Sequence, residues 1–233
     1  PLPAKIKPHF HRSARFFSPE QIPETDLFQE IYLPLERFDG KKANGVVLPA
    51  VIFPKEEEKI RLLLKKAKED GAEHLLVGNI GHLSLVENMG FTLHGDFRLN
   101  VTNSFSLTSY PSLSDIIVSP ELNTAQIRDL RGKKSVIVYG AIPLMHLEKD
   151  PECKKLTDRK GITFPILKEN GRFLVINSVP FYMLDKKKLL KEKGIENIAG
   201  AAKLLPEYNF VVAGNGPDEK MLEGIENMNI PTS

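Results

Sequence analysis

Along the first part of the chain, short apolar runs alternate with amphipathic stretches. Glu30 to Leu35, Gly45 to Val51, His74 to Val77, Asp115 to Val118 and Ser135 to Tyr139 are brief and nearly unbroken in their apolar content, the pattern of strands covered on both faces. Phe91 to Asn100 contains one or two more short strands. Helical stretches lie between them. Lys55 to Glu69 sets Ile60, Leu63 and Leu64 on one stripe among lysines and glutamates and is stopped by Gly71. Ile80 to Met89 reads as a short helix ending at Gly90, and Asn123 to Leu130 as another. Strands and helices alternating at this spacing predict parallel βα units.

Beyond residue 140 the pattern changes. Ile162 to Leu167 and Phe173 to Ile176 read as two strands joined through Asn170-Gly171, a strong hairpin turn. Helices are predicted at Asp185 to Glu192, Ile198 to Leu205 and Asp218 to Ile225, with a strand at Asn209 to Ala213. The opening stretch carries Pro1, Pro3, Pro8, Pro19 and Pro23 with little periodicity. The expected organisation is an irregular arm over 1–25, an α/β barrel part over 26–195 and a short αβα segment over 196–233. The fold class is α/β, with partial TIM-barrel-like parallel βα units followed by the hairpin and the C-terminal αβα segment. A closed eightfold barrel usually takes about 250 residues, so only part of one is expected. Parallel strands at an open edge expose unpaired backbone groups, which predicts self-association.

Composition narrows the function classes. With 233 residues, 41% hydrophobic and 27% charged, the chain can bury a core without being disordered. No apolar run approaches the roughly 18 residues that span a bilayer, and Pro1 to Phe10 has no continuous apolar core of the signal-peptide kind. A soluble, cytoplasmic protein with no membrane partner is the expectation. The net charge of +2 gives no global field toward nucleic acid, although lysines cluster at Lys186, Lys187, Lys188, Lys191 and Lys193. Cys153 stands alone, so neither an internal disulfide nor the thiolate set of an iron-sulfur cluster is available, and neither a cofactor nor a resident metal is expected. His9-Phe10-His11 would put two imidazoles on one strand face, without a third ligand. The Gly-x-Ser-x-Gly, His-Glu-x-x-His and phosphate-loop fingerprints are absent.

Candidate chemistry gathers at predicted strand ends, where α/β folds collect their ligand-binding groups. His94-Gly95-Asp96-Phe97-Arg98-Leu99-Asn100-Val101-Thr102-Asn103-Ser104 is the densest polar segment. Its plain reading is a Gly-Asp turn with asparagines satisfying loop backbone. In Ser119-Pro120-Glu121-Leu122, Ser119 can cap the following helix with Pro120 at its first position. The alternative sets Glu121 at a crevice mouth as a general base. Asp158 and Arg159, in Thr157-Asp158-Arg159-Lys160-Gly161, either pair with each other or hold an anion.

Several ordered segments resemble the collagenase-like peptidase U32 family. They are Arg15-Phe16-Phe17-Ser18-Pro19-Glu20-Gln21, Gly78-Asn79-Ile80-Gly81, Gly95 to Ser104, Ser119-Pro120-Glu121-Leu122, Val138-Tyr139-Gly140, Pro143-Leu144-Met145, Asp158-Arg159-Lys160-Gly161 with Phe164-Pro165, and Asn177-Ser178-Val179-Pro180. The resemblance runs from about residue 12 to 195. It implies a TIM-barrel-like peptidase domain acting on a peptide or protein, and the residues at the strand ends predict a crevice lined by Asp96, Asn100, Asn103, Glu121, Tyr139, Asp158 and Arg159. Glu121 or Asp96 would serve as general base toward water, with Arg159 and the asparagines orienting the substrate carbonyl, and Asn100, Asn103, Tyr139, Asp158 and Asn177 are the expected substrate-binding groups. Some relatives look like iron-sulfur proteins that hydroxylate RNA bases or a quinone precursor. This sequence departs from their pattern: His146 to Asp150 follow Met145 where cysteines are expected, and Ala141 replaces an arginine. The alternative function is therefore a non-catalytic or RNA-associated relative that has lost its cluster ligands and binds RNA through the Lys186 to Lys193 face. Residues about 191–229, with Gly214-Asn215-Gly216, separately resemble a nucleotide-sugar segment of a glycosyltransferase.

Overall fold

The computed structural model describes residues 11–24, 27–169 and 171–179, with the backbone of two further strands at 181–182 and 209–213. The predicted helices at Asp185 to Glu192, Ile198 to Leu205 and Asp218 to Ile225, the lysine face and the Gly214-Asn215-Gly216 turn lie outside the described residues.

Seven parallel strands follow one another in space as they do in the chain: β1 (Arg12–Arg15), β2 (Glu30–Pro34), β3 (Gly45–Val47), β4 (His74–Val77), β5 (Thr92–Gly95), β6 (Ile116–Ile117) and β7 (Lys134–Gly140). They form a curled sheet. Among the described residues, four α-helices pack outside it: α1 (Glu57–Glu69), α2 (Leu83–Val86), α3 (Ser104–Thr108) and α4 (Thr124–Asp129). The chain then turns into a four-stranded antiparallel sheet made by β8 (Pro143–Leu147), β9 (Lys155–Thr157), β10 (Thr163–Glu169) and β11 (Arg172–Ile176), in the order β8-β11-β10-β9. Strands β10 and β11 pair antiparallel as the predicted hairpin requires, with Ile166 opposite Val175 and Glu169 opposite Arg172. Strand β12 (Phe181–Tyr182) runs antiparallel to β7. Strand β13 (Asn209–Ala213) lies parallel between β7 and β1, setting Phe210 opposite Arg12 and Val136. Because β6 pairs with both β5 and β7, the parallel pairings run in a ring through eight strands.

Two differences from the sequence reading bear on the interior. The proline-rich opening stretch contains β1, whose Arg-Ser-Ala-Arg sequence has one apolar residue and so gives no strand signal of its own. It is a strand because β2 and β13 satisfy its backbone from both sides. Ser119 also does not cap the fourth helix. Asn123 does so, accepting from Gln126 N while Gln126 Oε1 accepts from Asn123 N.

Strand alternation divides the core into an outer and an inner layer. Outward residues pack under the helices: Val46, Leu75 and Leu93 meet Ile60 and Leu64 of α1, and Leu33, Val118 and Val136 meet Leu107 of α3 and Ile127 of α4. Leu64 is fully buried. Inward residues Tyr32, Val47, Leu76, Ile117 and Ile137 form a separate apolar belt inside the curl, with Phe97 against it. The aromatic ring of Tyr32 fits because Gly45 faces it: a Cβ there would come within 2.6 Å of the ring. A third cluster, Phe17, Ala141, Leu174 and Ile176, seats the antiparallel sheet against the carboxyl ends of the strands.

Candidate functional site

The apolar belt separates two polar ends, and one narrow cavity of about 30 Å³ touches both. That volume holds a few waters or a small ion. Arg15 and Asp96 line it toward the carboxyl ends, and Glu30, His94, Asp115 and Ser135 toward the amino ends.

At the carboxyl end, Arg15 closes β1 and Asp96 follows β5 directly. Arg15 Nη2 donates to Glu169 Oε1 at 2.8 Å, and its Nη1 lies 3.8 Å from Asp96 Oδ2. Burial opposes the charge of Arg15, but Glu169 and Asp96 outweigh it and raise its pKa above the ordinary value. Asp96 Oδ1 accepts from Phe97 N at 2.8 Å and Oδ2 from Arg98 Nε at 2.8 Å. Gly78 makes room for this pair, since a Cβ there would lie 3.2 Å from both Asp96 Oδ2 and Arg98 Nε. Arg15 Nε and Arg98 Nη1 are buried donors that meet no acceptor among the described residues. A buried N–H left unpaired costs about 1–3 kcal/mol, a cost that an acceptor at this end would relieve. His146, on β8, has its pKa lowered by burial and then by the charge of Arg98.

At the amino end the groups sit on the strands themselves. Glu30 opens β2, His74 opens β4 and His94 lies within β5. His74 Nδ1 is 3.2 Å from His94 Nε2, and Glu30 Oε1 is 3.6 Å from each. His94 Nδ1 lies 2.5 Å from Asp115 Oδ1, and Ser135 Oγ donates to Asp115 Oδ2. Tyr32 Oη donates to Glu30 Oε2 at 2.8 Å, and His11 Nε2 is 2.9 Å from Glu30 Oε1. Burial disfavours the carboxylate of Asp115, but hydrogen bonding to His94, the charge of His94 and Ser135 together lower its pKa. Burial likewise opposes the charge of His94, and Asp115 and Glu30 overcome it and raise its pKa. His74 is lowered, chiefly by burial.

No family model matches the chain. Over 94 residues it is 26% identical to the uncharacterized protease MJ0090 of Methanocaldococcus jannaschii, a stretch that covers 40% of this chain and 23% of that protein. A protease is thus a distant relative. The chain spans less than a quarter of that protein's length, and the match carries no residue roles.

The residues singled out in the sequence fall in different places. Asp96 lines the cavity. Asn177 comes near it through its backbone, donating to Ile142 O, and Ile142 is a lining residue. Tyr139 is buried in the outer apolar layer instead. Asn100 is exposed in a left-handed conformation, with φ 51°, ending the turn after Asp96. Asn103 is exposed and caps α3, accepting from Ser106 N. Glu121 is exposed on the loop before α4 and does not line the cavity. Asp158 and Arg159 are exposed in the turn between β9 and β10, where Asp158 Oδ1 accepts from Lys160 N and Ile162 N. The structure therefore joins Asp96 to Arg15, Arg98 and Glu169, and leaves Glu121, Asp158, Arg159 and Asn103 on peripheral loops. Glu30, His74, Asp115, Ser135 and Arg15 were not recognised as chemistry in the sequence. Their signal was a polar residue at an inward position of a buried strand, which becomes visible only once the inner face is known. Among the described residues, no helix is long and apolar enough to cross a membrane.

Proposed function

We propose that this chain is a peptidase-like domain of the U32 type, with a TIM-barrel-like body, whose peptide ligand docks at the carboxyl-end mouth. The single observation that carries this reading is the pair of buried donors, Arg15 Nε and Arg98 Nη1, that meet no acceptor among the described residues. Guanidinium N–H groups bind carboxylate and carbonyl oxygens well, and they do so best in a water-poor site. Ligands of parallel βα folds collect at the carboxyl ends of the strands, because the connecting loops converge there. The distant similarity to a protease makes a peptide the favoured ligand class. The cavity of about 30 Å³ is too small for a chain segment, so a peptide would present one oxygen-bearing group to it and lie across the mouth outside.

In this reading Asp96 holds Arg98 and faces the bound group, and Asp96 or Glu121 acts as base toward water. Glu121 and Arg159 would reach the peptide from the surrounding loops, with Asn100, Asn103, Asp158 and Asn177 contributing surface contacts. The test is cleavage of gelatin and of short peptides by the parent, Asp96→Asn and Glu121→Gln proteins. Loss of a general base lowers turnover by about 10²–10⁴-fold, and that fall is expected in at least one variant. Equal cleavage by all three proteins would remove both carboxylates from the chemistry.

A further inference from the structure

Three donor atoms at the amino end converge as metal ligands do. His74 Nδ1, His94 Nε2 and Glu30 Oε1 are separated by 3.2, 3.6 and 3.6 Å. A circle through them has a radius of about 2.0 Å, while Zn–N and Zn–O bonds are roughly 2.0–2.2 Å. An ion bonded to all three would therefore stand slightly out of their plane, with its far side open. We propose that Glu30, His74 and His94 form a binding site for a zinc-class divalent cation that ties β2, β4 and β5 together inside the strand ring.

The surroundings of each ligand support this reading independently. His94 shows its other ring nitrogen to Asp115, which is also bonded by Ser135. A carboxylate on the distal nitrogen of a ligating imidazole fixes its tautomer and strengthens it as a donor. With Nδ1 carrying the proton, the Nε2 lone pair points at the site. Glu30 has its second oxygen held by Tyr32, which leaves Oε1 for the ion. The three ligand groups are largely removed from water, with side-chain exposures of 9% for Glu30, 11% for His94 and 19% for His74. His74 is the most open of them and lies beside exposed Glu73, so an ion would enter on that side. His11 also reaches Glu30 Oε1, at 2.9 Å. It covers the carboxylate and has to yield part of that oxygen when an ion binds.

Two imidazoles and one carboxylate suit zinc and its neighbours, whereas magnesium and calcium prefer all-oxygen sets. The role follows from location. In parallel barrels the amino-end face serves stability rather than turnover, so the ion is assigned to holding strands whose own pairings are short. Glu30 and His94 share the narrow cavity with Arg15 and Asp96, but the ligand set includes neither of the latter, so the metal test does not use the donors of the mouth.

The test is titration of chelator-treated full chain with Co²⁺ and with Zn²⁺, followed by visible absorption and by melting temperature. The expected result is one equivalent of Co²⁺ with the intense d–d bands of a four- or five-coordinate site, displaced by Zn²⁺, and a melting temperature that rises with the ion. Glu30→Gln and His74→Gln should abolish the absorption, with unchanged far-ultraviolet circular dichroism in the metal-free state. Asp115→Asn, which touches no ion, should weaken binding by about 10–100-fold, and His11→Asn should still bind one equivalent. If Glu30→Gln or His74→Gln lost its fold, the Asp115→Asn titration would decide the matter instead. No saturable Co²⁺ bands in the parent, equal bands in the parent and in a folded Glu30→Gln or His74→Gln protein, or an unchanged Co²⁺ affinity in Asp115→Asn, would overturn the proposal.

Discussion

The two polar ends of the strand ring use similar residues in opposite ways. At the amino end, Glu30, His94 and Asp115 are each engaged by at least two polar neighbours, and all three lie on or directly before strands. At the carboxyl end, Arg15 is anchored by Glu169 but keeps its Nε free of any acceptor among the described residues, and Arg98 keeps its Nη1 free likewise. Groups on strands are held by the ladder and can be matched to one another closely. Groups at strand exits are set by loops and by the antiparallel sheet above them, and Arg15 and Arg98 there keep donor capacity unmatched among the described residues. The contrast is between carboxylates and an imidazole matched to one another on the strands and guanidiniums with spare donors at the exits, which the proposed reading assigns to a ligand.

The largest effect is expected where that division is broken at the carboxyl end. Arg15→Met would leave Glu169, whose side chain is 5% exposed, without its cation. Breaking a buried pair by removing one partner costs about 3–5 kcal/mol, to be read from denaturant unfolding at neutral pH. A loss below about 1 kcal/mol would mean that water already reaches the pair. The amino end should respond less. Asp115→Asn keeps an acceptor for Ser135 and a partner for His94 but removes the charge, and a cost of about 1–3 kcal/mol is expected in metal-free protein. A larger loss than that of Arg15→Met would reverse the assignment of the two ends.

Much of the scaffold was legible in the sequence, because β2 to β7 and α1 announce themselves by apolar content and stripe. The hairpin was legible through Asn170-Gly171, whose turn chemistry fixes the register of β10 on β11. Strand β1 was not, since Arg12 is polar and Ser13 and Arg15 are polar residues buried by their neighbours rather than by their own hydrophobicity. Nor was the ring of pairings: β13 was foreseen as a strand, but its place between β7 and β1 is long-range information. At the site, Asp96 was legible because it stands in a dense polar segment after a strand. Glu121, Asp158 and Arg159 stood out for the same local reason, yet their loops project them outward. His74 and Glu30 gave no local signal, being single polar residues at the starts of apolar strands some 40 positions apart.

The central claim is that the unmatched donors of the mouth receive a peptide oxygen, and Arg15→Lys tests it most directly. Lysine preserves the cation for Glu169 while deleting Nε. Affinity for short peptides with free carboxyl ends, measured by calorimetry on the parent and the variant, should fall about tenfold or more, as loss of a charge-assisted hydrogen bond of about 1.5–3 kcal/mol requires. A folded Arg15→Lys protein that binds those peptides as tightly as the parent would contradict the account.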